Sequence, residues 1–499
     1  MMLTLLESAL IKGFDGLISL MRERDDRPRD PSQILLGKAA HPYDPHRWEE
    51  ATLDSASGPK HVYIMGGTGT GKTKLIEALI RQDILAGRGF ALIDPHGDLT
   101  RSILCFITRS FHPSEINKLG RQLILVEPFD RQRAVGFNPL HASELPFPAI
   151  LELLEIFRRF WGNTYWGPRM DEVLRNTLIT LSENNLTLLE ARPLLTHLGF
   201  RERLTQNVSF GEVRDYWTYR YNQLSEKMQS MYREPVLNKI TAFIADPSMY
   251  RILGQRESTV DFRQAMDEGK WLLLNLSKGQ LKENLRLLGA LFLAKLKQAA
   301  LSRIDIPEEN RRPFSVYLDE FQNFLGEDIE TILSEARKFR LGLTLAHQTL
   351  DQLPAQLRSA ILGNVGLEIF FRLSHHDAVQ ISSELDQKDR HLIEKRLIDF
   401  KVGEAYLKIK GQRPRLFKTA HVPSLSVSED ALEHLKRASF QYWARPVNEV
   451  EREIEDRRQL WVAAETEARS PGRQSKVRLI KDYPRPNPDG LFEEGQSEW

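Results

Sequence analysis

A glycine-rich run that ends in lysine and threonine is the part of this sequence best suited to chemistry. It reads GGTGTGKT and matches the pattern G-x-x-x-x-G-K-[ST] at every defined position. Glycines allow backbone N–H groups to turn toward phosphate oxygens, the lysine pairs with the β- and γ-phosphates, and the threonine hydroxyl suits Mg²⁺. We therefore predict a site for ATP and Mg²⁺. Its binding residues would be Gly66, Thr68, Gly69, Gly71, Lys72 and Thr73.

Two acidic residues at the end of a later apolar run could complete that site. Asp319 and Glu320 directly follow the apolar segment Phe314–Leu318. Asp319 would hold Mg²⁺ through its water shell, and Glu320 would be the general base that polarises the attacking water. Taken alone, such a segment is also typical of an acidic strand-to-loop turn. Downstream of a P-loop, it favours an ATPase.

Three more polar residues lie near the next predicted strand, at residues 343–346. Gln348, just beyond that strand, could touch the γ-phosphate or its water. Arg337 or Arg340 could reach a neighbouring subunit's phosphates as an arginine finger, so that two subunits would share one active site. The alternative for both arginines is a solvated helix face. The predicted catalytic residues are Lys72, Glu320, Arg337 and Gln348.

The elements around these residues follow the order of an α/β protein. The P-loop would follow a strand at Val62–Met65 and open a helix at residues 72–86, whose dipole would point at the phosphates. Alternating strands and helices of this kind build parallel sheets. Residues 41–48 look irregular, and residues 408–415 look like a solvated loop. Further strands are predicted near residues 34–38, 90–93, 123–126, 271–276, 314–318, 369–373 and 404–408.

Changes in the predicted secondary structure divide the chain into segments. Residues 34–143 and 251–423 would form a nucleotide-binding α/β core, interrupted by an inserted all-α domain at 144–250. Residues 424–469 would form polar C-terminal helices, followed by a disordered tail at 470–499. Residues 1–33 would form a helix and a linker. That helix carries an apolar stripe, which favours a packing or partner helix over a membrane-surface anchor: Leu3, Leu6, Leu10, Phe14, Leu17 and Met21.

Composition narrows the class of protein. A hydrophobic content of 41% and a charged content of 27% are those of a globular protein, and a net charge of +1 does not indicate nucleic-acid binding by itself. The single cysteine, Cys105, excludes intrachain disulfides and a cysteine-based zinc site; we expect it in the core. No stretch is apolar over the length that a bilayer requires. We expect a cytoplasmic protein, which could lie against the inner face of the membrane.

Two features invite a binding assignment with less support. The segment 94–99, DPHGDL, holds a histidine between aspartates, but we expect a structural or nucleotide-adjacent turn and not a metal site. Aromatic and arginine residues interleave in the predicted insert, where they could stack bases and neutralise phosphates, or simply pack the helices. These DNA-contact candidates are Arg158, Arg159, Trp161, Tyr165, Trp166, Arg169 and the segment 215–221.

The ordered motifs resemble those of a known family. GGTGTGKT, IDPHGDL, FNPL, an α-helical insert, KWLLLNLSKG, VYLDEFQNF and SEARKFRLGLTLAHQT occur in the order of the HerA/FtsK superfamily of P-loop motors. Within that superfamily the sequence is most similar to TraG-like coupling ATPases of conjugative type IV secretion, over about residues 34–423. Membrane-tethered coupling proteins carry N-terminal transmembrane helices, which this sequence does not predict.

The resemblance implies a RecA-like core and a homo-hexameric ring around a channel, with the all-α insert facing DNA or its protein partners. It also implies roles for single residues. Lys72 and Thr73 match the P-loop positions, and Gln348 matches the sensor glutamine. Arg337 matches the arginine finger. Asp319 and Glu320 match the acidic pair.

We favour an ATP-driven DNA translocase that hydrolyses ATP at the subunit interfaces of a hexamer. The alternative is a HerA-like motor that serves a nuclease or an anti-phage defence effector. A nucleotide-switched scaffold fits less well, because Glu320 and Gln348 suit water activation, which a switch does not need. The expected partners are DNA and further copies of the chain. A membrane, secretion-channel or nuclease protein could also bind, through the N-terminal helix or the all-α domain.

Overall fold

The fold is taken from a computed structural model that describes residues 33–41, 44–54, 60–141, 146–162, 166–276, 282–324 and 327–469. The predicted N-terminal helix, its linker up to residue 32, Tyr165 and the predicted tail at 470–499 lie outside these ranges. Within the described ranges, no helix is both long and apolar enough to cross a lipid bilayer.

One 11-stranded sheet is the frame of the molecule, in the order β2-β1-β12-β11-β10-β3-β9-β8-β4-β7-β5. Its strands are β1 (Gln33–His41), β2 (Asp44–Asp54), β3 (Val62–Met65), β4 (Gly89–Asp94), β5 (Leu123–Val126), β7 (Trp271–Asn275), β8 (Phe314–Leu318), β9 (Leu341–His347), β10 (Leu367–Phe370), β11 (Glu404–Ile409) and β12 (Arg415–Thr419). A second, small sheet pairs β6 (Arg133–Ala134) with β13 (Arg445–Pro446).

The strands from β10 to β5 run parallel, and β3 lies between β10 and β9. Every residue of β3 is buried and apolar, as expected for a parallel strand covered on both faces. The register pairs Met65 with His347 and Leu318 with Leu345. The loops that follow β3, β8 and β9 therefore leave the sheet at the same edge, the usual place for a ligand site in α/β proteins.

Helices connect and cover these strands. They are α1 (Lys72–Leu85), α2 (Asp98–Ser110), α3 (Ile116–Gln122), α4 (Pro146–Trp161), α5 (Pro168–Glu183), α6 (Ala191–Thr196), α7 (Leu198–Gln206), α8 (Gly211–Asp215), α9 (Glu226–Ile244), α10 (Pro247–Leu253), α11 (Phe262–Glu268), α12 (Lys282–Leu301), α13 (Glu327–Glu335), α14 (Ala355–Asn364), α15 (His375–Leu385), α16 (Arg390–Asp399), α17 (Glu429–Trp443) and α18 (Val447–Arg469). Two short 3₁₀ helices, Phe321–Phe324 and Ala336–Phe339, flank α13.

Two sequence expectations about the antiparallel end of the sheet were wrong, the second of them only outside the exposed turn at residues 410–413. His41 is the last residue of β1 and residues 44–48 are not irregular, because β2 begins at Asp44 and pairs with β1. Residues 408–415 are not simply a solvated loop either, because they include the end of β11 and the start of β12. Arg415 there donates from Nη1 to Glu49 Oε1 at 2.5 Å. An edge strand such as β2 tolerates proline and charge, so its sequence carries little strand signal.

The predicted helical insert is built of helices but shares its core with the sheet. Between β6 and β7 the regular elements of the described residues are helices, namely α4 to α11 and short 3₁₀ and π helices among them. Leu153 of α4 and Leu178 of α5 belong to one buried cluster with Tyr63 of β3. The opposite face of the sheet packs on α1, α2 and α17. Its cluster includes Cys105, which confirms the expected core position of that thiol. Whether residues 144–250 form a separate domain stays a prediction.

The C-terminal helix α18 is fastened to the helical region by a buried guanidinium. Arg457 donates from Nε to Glu190 Oε1 at 3.1 Å, and its Nη2 bonds the carbonyl of Gly254. Arg457 and Glu190 are both buried, so this ion pair is shielded from water. The polar C-terminal helices are therefore packed against the protein, although their sequence alone would suit free solution.

Candidate active site

The glycine-rich loop leaves β3 and enters α1 as predicted, and its backbone is tied to both neighbouring strands. The N–H of Gly66 donates to the carbonyl of His347 at 3.3 Å, and the N–H of Gly67 donates to the carbonyl of Arg372 at 2.9 Å. Gly71 has φ = 116°, which glycine adopts far more readily than other residues. A Cβ on Gly66 would lie 2.6 Å from Cβ of Phe371. The loop therefore depends on glycine for its shape and for its close packing.

Lys72, the first residue of α1, points back into this loop. Its ammonium donates to the carbonyls of Gly66 at 2.7 Å and Gly67 at 3.1 Å. Burial lowers the pKa of Lys72, and the charges of Glu320 and Asp319 act in the opposite direction. The loop carbonyls accept hydrogen bonds that phosphate oxygens of a nucleotide could accept instead. The loop and Lys72 thus fit a bound triphosphate.

Thr73 and Asp319 meet across the sheet edge. The Thr73 hydroxyl donates to Asp319 Oδ2 at 3.0 Å, and the Asp319 side chain is buried. Burial raises the pKa of Asp319, while the hydrogen bond from Thr73 opposes that rise. A buried carboxylate beside a hydroxyl is a donor set that suits Mg²⁺, which favours oxygen ligands and compensates the buried charge. These two residues therefore fit the metal that the sequence predicts.

Glu320 and Gln348 are also brought together, although 28 residues separate them in the sequence. Gln348 Nε2 donates to Glu320 Oε1 at 2.7 Å, and the Thr68 hydroxyl donates to Gln348 Oε1 at 3.2 Å. A chain of hydrogen bonds therefore joins the P-loop to the predicted general base. Glu320 has φ = 49°, an uncommon backbone conformation outside glycine that is frequent at functional sites.

The segment 94–99 forms the structural turn that its position indicates. Asp94 is buried and accepts hydrogen bonds from the N–H groups of His96 at 3.0 Å, Gly97 at 2.8 Å and Thr100 at 2.8 Å. The hydroxyl of Thr100 adds a further hydrogen bond at 2.9 Å. Both carboxylate oxygens of Asp94 thus accept hydrogen bonds from the start of α2. These bonds explain the aspartate at the beginning of the motif as a structural residue.

Two polar residues beside the site are not singled out by the sequence. His347 is fully buried, its Nε2 lies 2.5 Å from the Tyr63 hydroxyl, and burial lowers its pKa to about 3. Its imidazole is therefore neutral at ordinary pH. Gln322 donates from Nε2 to Glu320 Oε2 at 2.6 Å. A polar residue two positions after the predicted base is the only signal that could have pointed to Gln322.

Arg337 and Arg340 lie away from the P-loop of their own chain. Arg337 is exposed on the 3₁₀ helix that precedes β9, and Arg340 lies between that helix and the strand. Burial, together with the charge of Arg337, lowers the pKa of His61 to about 4, and His61 immediately precedes β3. Both arginines therefore lie at the amino end of the parallel strands, whereas the P-loop lies at the carboxyl end.

Most of the aromatic DNA-contact candidates pack inside the helical region. Trp217 is fully buried and donates from Nε1 to the Thr180 hydroxyl at 2.8 Å, and Tyr216 and Tyr221 are buried beside it. Trp161 stacks on Trp166 with ring centroids 6.3 Å apart. Tyr219 is the exception, at 68% exposure. Base stacking by the buried rings is thus excluded by their packing.

The arginine candidates also make contacts within the chain, and Arg159 among them is exposed on the last turn of α4. Arg158 donates to Glu155 at 2.5 Å and to Asp171 at 2.6 Å. Arg169 lies over the ring of Tyr232, and Arg220 pairs with Glu172. These ion pairs are solvent-accessible and could still exchange for phosphates. DNA contact by this region stays a prediction.

Comparisons with known proteins agree with this geometry. Residues 313–392 match the family described as the TraM recognition site of TraD and TraG. That range contains β8, β9 and β10, and with them Asp319, Glu320, Arg337 and Gln348. No curated protein sequence matches the chain.

The fold is similar to that of solved coupling proteins. The unbound bacterial conjugative coupling protein TrwBdeltaN70 is 16% identical with a TM-score of 0.55, over 75% of this chain and 87% of that one. The plasmid coupling protein TrwB with ADP and Mg²⁺ has a TM-score of 0.56 at 16% identity, over 76% of this chain and 89% of that one. Its complex with the ATP analogue ADPNP has a TM-score of 0.56 at 16% identity, over 82% and 93%.

At 16% identity the structural similarity establishes the fold alone. The family match concerns residues 313–392, the segment that contains Asp319, Glu320 and Gln348. The resemblance read from the motifs is thereby confirmed. This chain is therefore similar to TraG/TraD-like coupling proteins in the sequence of residues 313–392 and in its fold.

Proposed function

We propose that this chain is an ATP-driven DNA translocase that hydrolyses ATP where subunits of a homo-hexameric ring meet. The observation that carries the proposal is the hydrogen-bonded chain from Thr68 through Gln348 to Glu320. A protein that only binds nucleotide has no need of a carboxylate coupled to its phosphate loop. A motor needs that coupling, because hydrolysis must be reported to the rest of the fold.

The residues of this chain divide the work of hydrolysis. Lys72 and the loop N–H groups would bind the β- and γ-phosphates, and Thr73 with Asp319 would hold Mg²⁺. When bound, the metal supplies charge neutralisation on the phosphates. Glu320 would accept the proton of the attacking water at Oε1, the oxygen that faces Gln348. Gln348 would orient that water and sense the loss of the γ-phosphate through Thr68.

The arginine that completes the site would come from the neighbouring subunit. Arg337 is exposed at the opposite end of the sheet from its own P-loop, so it is better placed to face another protomer than its own nucleotide. Sharing the site in this way would let hydrolysis in one subunit move the next. The similarity to TrwB, which is described as a plasmid coupling protein, supports DNA or nucleoprotein as the transported substrate.

A protein partner is the second part of the proposal. The family matched by residues 313–392 is described as a TraM recognition site, so we infer a partner similar to TraM. The matched range also contains the acidic pair and Gln348. A partner on the exposed parts of this region would therefore sit close to the catalytic residues and could regulate them.

Two substitutions test the site directly. Lys72→Ala removes the phosphate-binding ammonium, and Glu320→Gln removes the base while keeping its shape. We expect DNA-stimulated ATP turnover to fall about 10²-fold or more in each. The Glu320→Gln protein should still bind ATP and DNA.

The matched control is Lys74→Ala, two residues further along α1. The Lys74 side chain is half exposed and pairs with Glu77, so its loss should leave turnover within about twofold. Unchanged hydrolysis in both Lys72→Ala and Glu320→Gln would refute the site. Turnover that does not respond to DNA, together with no displacement of a DNA-bound obstacle, would refute the motor while leaving the ATPase intact.

A further inference from the structure

The carboxylate of Glu320 is held by an amide on each of its two oxygens. Gln348 Nε2 donates to Oε1 at 2.7 Å, and Gln322 Nε2 donates to Oε2 at 2.6 Å. Hydrogen bonds to an ionised carboxylate are among the stronger ones in proteins. Both oxygens of the predicted base therefore accept a hydrogen bond. Of the two donors, only Gln348 was predicted from the sequence motifs.

The two oxygens face different surroundings. Oε1 faces Gln348 and, through it, Thr68 of the P-loop. Oε2 faces Gln322, which lines a cavity of about 450 Å³ between α4 and the segment after β8. Charged side chains from the helices border this cavity, among them Glu152 and Arg159. The hydrogen bond from Gln322 thus holds Oε2 away from the P-loop and leaves Oε1 directed toward Gln348 and the loop.

The backbone around Gln322 is itself fixed. The N–H of Glu320 donates to Asp319 Oδ1 at 3.0 Å, and the carbonyl of Glu320 accepts from both the N–H and the side chain of Asn323 at 3.0 Å. Gln322 lies between two buried rings, Phe321 and Phe324, in the 3₁₀ helix that they anchor. Its amide is therefore presented to Oε2 from a rigid base.

The oxygen of the Gln322 amide makes no hydrogen bond to the described residues. This atom, Oε1, is buried. A buried polar atom left in this way costs free energy, so its presence in a folded protein calls for an explanation. The donor of Gln322 serves Glu320, whereas its acceptor serves no group in the described part of the chain.

We infer that Gln322 is a positioning residue, which orients the Glu320 carboxylate so that Oε1 receives the proton of the attacking water. The inference rests on the proposed ATPase function and assigns a role beyond the motif residues. Without Gln322, the carboxylate can rotate about its last side-chain bond, a torsion with broad minima. The fraction of complexes with a correctly aimed base would then fall, while the phosphate and metal ligands stay in place.

The test measures kcat, KM and the dissociation constant of a non-hydrolysable ATP analogue for the full chain with DNA. Gln322→Leu keeps the volume and removes the donor, and Gln322→Glu keeps the shape and replaces the donor with a like charge. We expect kcat to fall about 10- to 100-fold in Gln322→Leu and further in Gln322→Glu. The KM and the analogue affinity should stay within about twofold.

Gln298→Ala is the matched control. Gln298 Nε2 donates to Glu152 Oε2 at 2.5 Å, so it makes the same kind of bond to a carboxylate that borders the same cavity but not the P-loop. Its kcat should stay within about twofold of the wild type. A melting temperature measured for every variant separates loss of positioning from loss of folding.

The outcomes separate this inference from the proposed function. If Glu320→Gln retains turnover, the assignment of the base fails and the inference fails with it. If Glu320→Gln is inactive while Gln322→Leu keeps the wild-type kcat, only the positioning role is overturned. A parallel loss of kcat and nucleotide affinity in both Gln322 variants would also overturn it, because that pattern indicates a structural role for the whole site.

Discussion

The two ends of the parallel strands differ in whether their charged side chains are buried or exposed. At the carboxyl end, Lys72, Asp319 and Glu320 are buried and bonded to the loop or to neighbouring side chains. At the amino end, Arg337 projects into solvent from a short 3₁₀ helix. Strand β9 has 7 residues, which separates the two ends by roughly 20 Å. That distance is greater than an arginine side chain can cover.

The amino end is nevertheless rigid. Arg303 is fully buried and donates to the carbonyl of Phe339 at 3.2 Å, and Arg311 donates to the carbonyl of Lys338 at 2.5 Å. Two buried guanidinium groups thus hold the helix that carries Arg337. One end thus gathers buried polar side chains around the P-loop, and the other presents a charge to solvent. The proposed active site, in which Arg337 acts on a nucleotide, would therefore need two copies of the chain.

The largest effect is expected from removing the charge of Arg337. We expect Arg337→Ala to lower ATP turnover about 10³-fold, as for other arginine fingers, with nucleotide affinity nearly unchanged. Mixing this variant with the Lys72→Ala variant should restore part of the activity. In a mixed ring, some sites combine an intact P-loop from one copy with an intact arginine from the other.

Arg340→Ala is the control for this experiment. Arg340 is only half exposed, has φ = 55° and contributes its carbonyl to β8 through the N–H of Phe314 at 3.0 Å. Its side chain should matter less than that of Arg337. No recovery in mixed rings, or a larger loss for Arg340→Ala than for Arg337→Ala, would contradict the assignment of Arg337 as the shared residue.

The carboxyl end could be predicted from the sequence in most of its parts. The P-loop motif places Lys72 and Thr73, and parallel topology brings every strand end to one edge, so Asp319 and Gln348 had to lie near the loop. The bounds of β3, β5 and β8 were predicted as they stand in the structure. These signals are local, since each is a short apolar run followed by a turn or a polar residue.

The rest depends on contacts between distant residues, which short patterns do not encode. Strand β2 exists because β1 offers it a partner, and its own sequence is charged. Arg303 looks like any surface arginine until its carbonyl partner 36 residues away is known. Gln322 is adjacent to the motif, but only the fold shows that its amide faces Oε2 of Glu320. Register and burial had to be observed.

A smaller effect is expected from the support of the amino end. Arg303→Ala removes hydrogen bonds to the carbonyls of Phe339 and Arg312 and an ion pair with Asp267 at 2.9 Å. Losing one partner of such a buried set should lower the free energy of unfolding by about 3 kcal/mol, measured by denaturant titration. Arg312→Ala should cost less, because its side chain is exposed. An equal loss in both would show that burial of Arg303 is not what holds this end.

The smallest expected effect is a pH dependence that originates at the amino end. His61 is buried and accepts the N–H of Leu343 at Nδ1 at 3.1 Å, and its pKa is lowered to about 4. Unfolded histidine has a pKa of about 6.5, so below that pH the unfolded chain binds a proton that folded His61 does not bind. The contribution of His61 to the free energy of unfolding is fully present above about pH 6.5 and declines as the pH falls toward 4. Between pH 7.5 and 5 the loss from His61 should be about 2 kcal/mol.

The substitution His61→Asn keeps an acceptor for Leu343 and removes the titration. The decline of the unfolding free energy between pH 7.5 and 5 should therefore become shallower, with the remaining slope partly due to His347, whose pKa is lowered in the same direction. Arg337→Ala should also make it shallower, because Arg337 is one cause of the lowered pKa of His61. If Arg337→Ala leaves the pH dependence of the unfolding free energy unchanged, burial alone and not the charge of Arg337 lowers the pKa of His61.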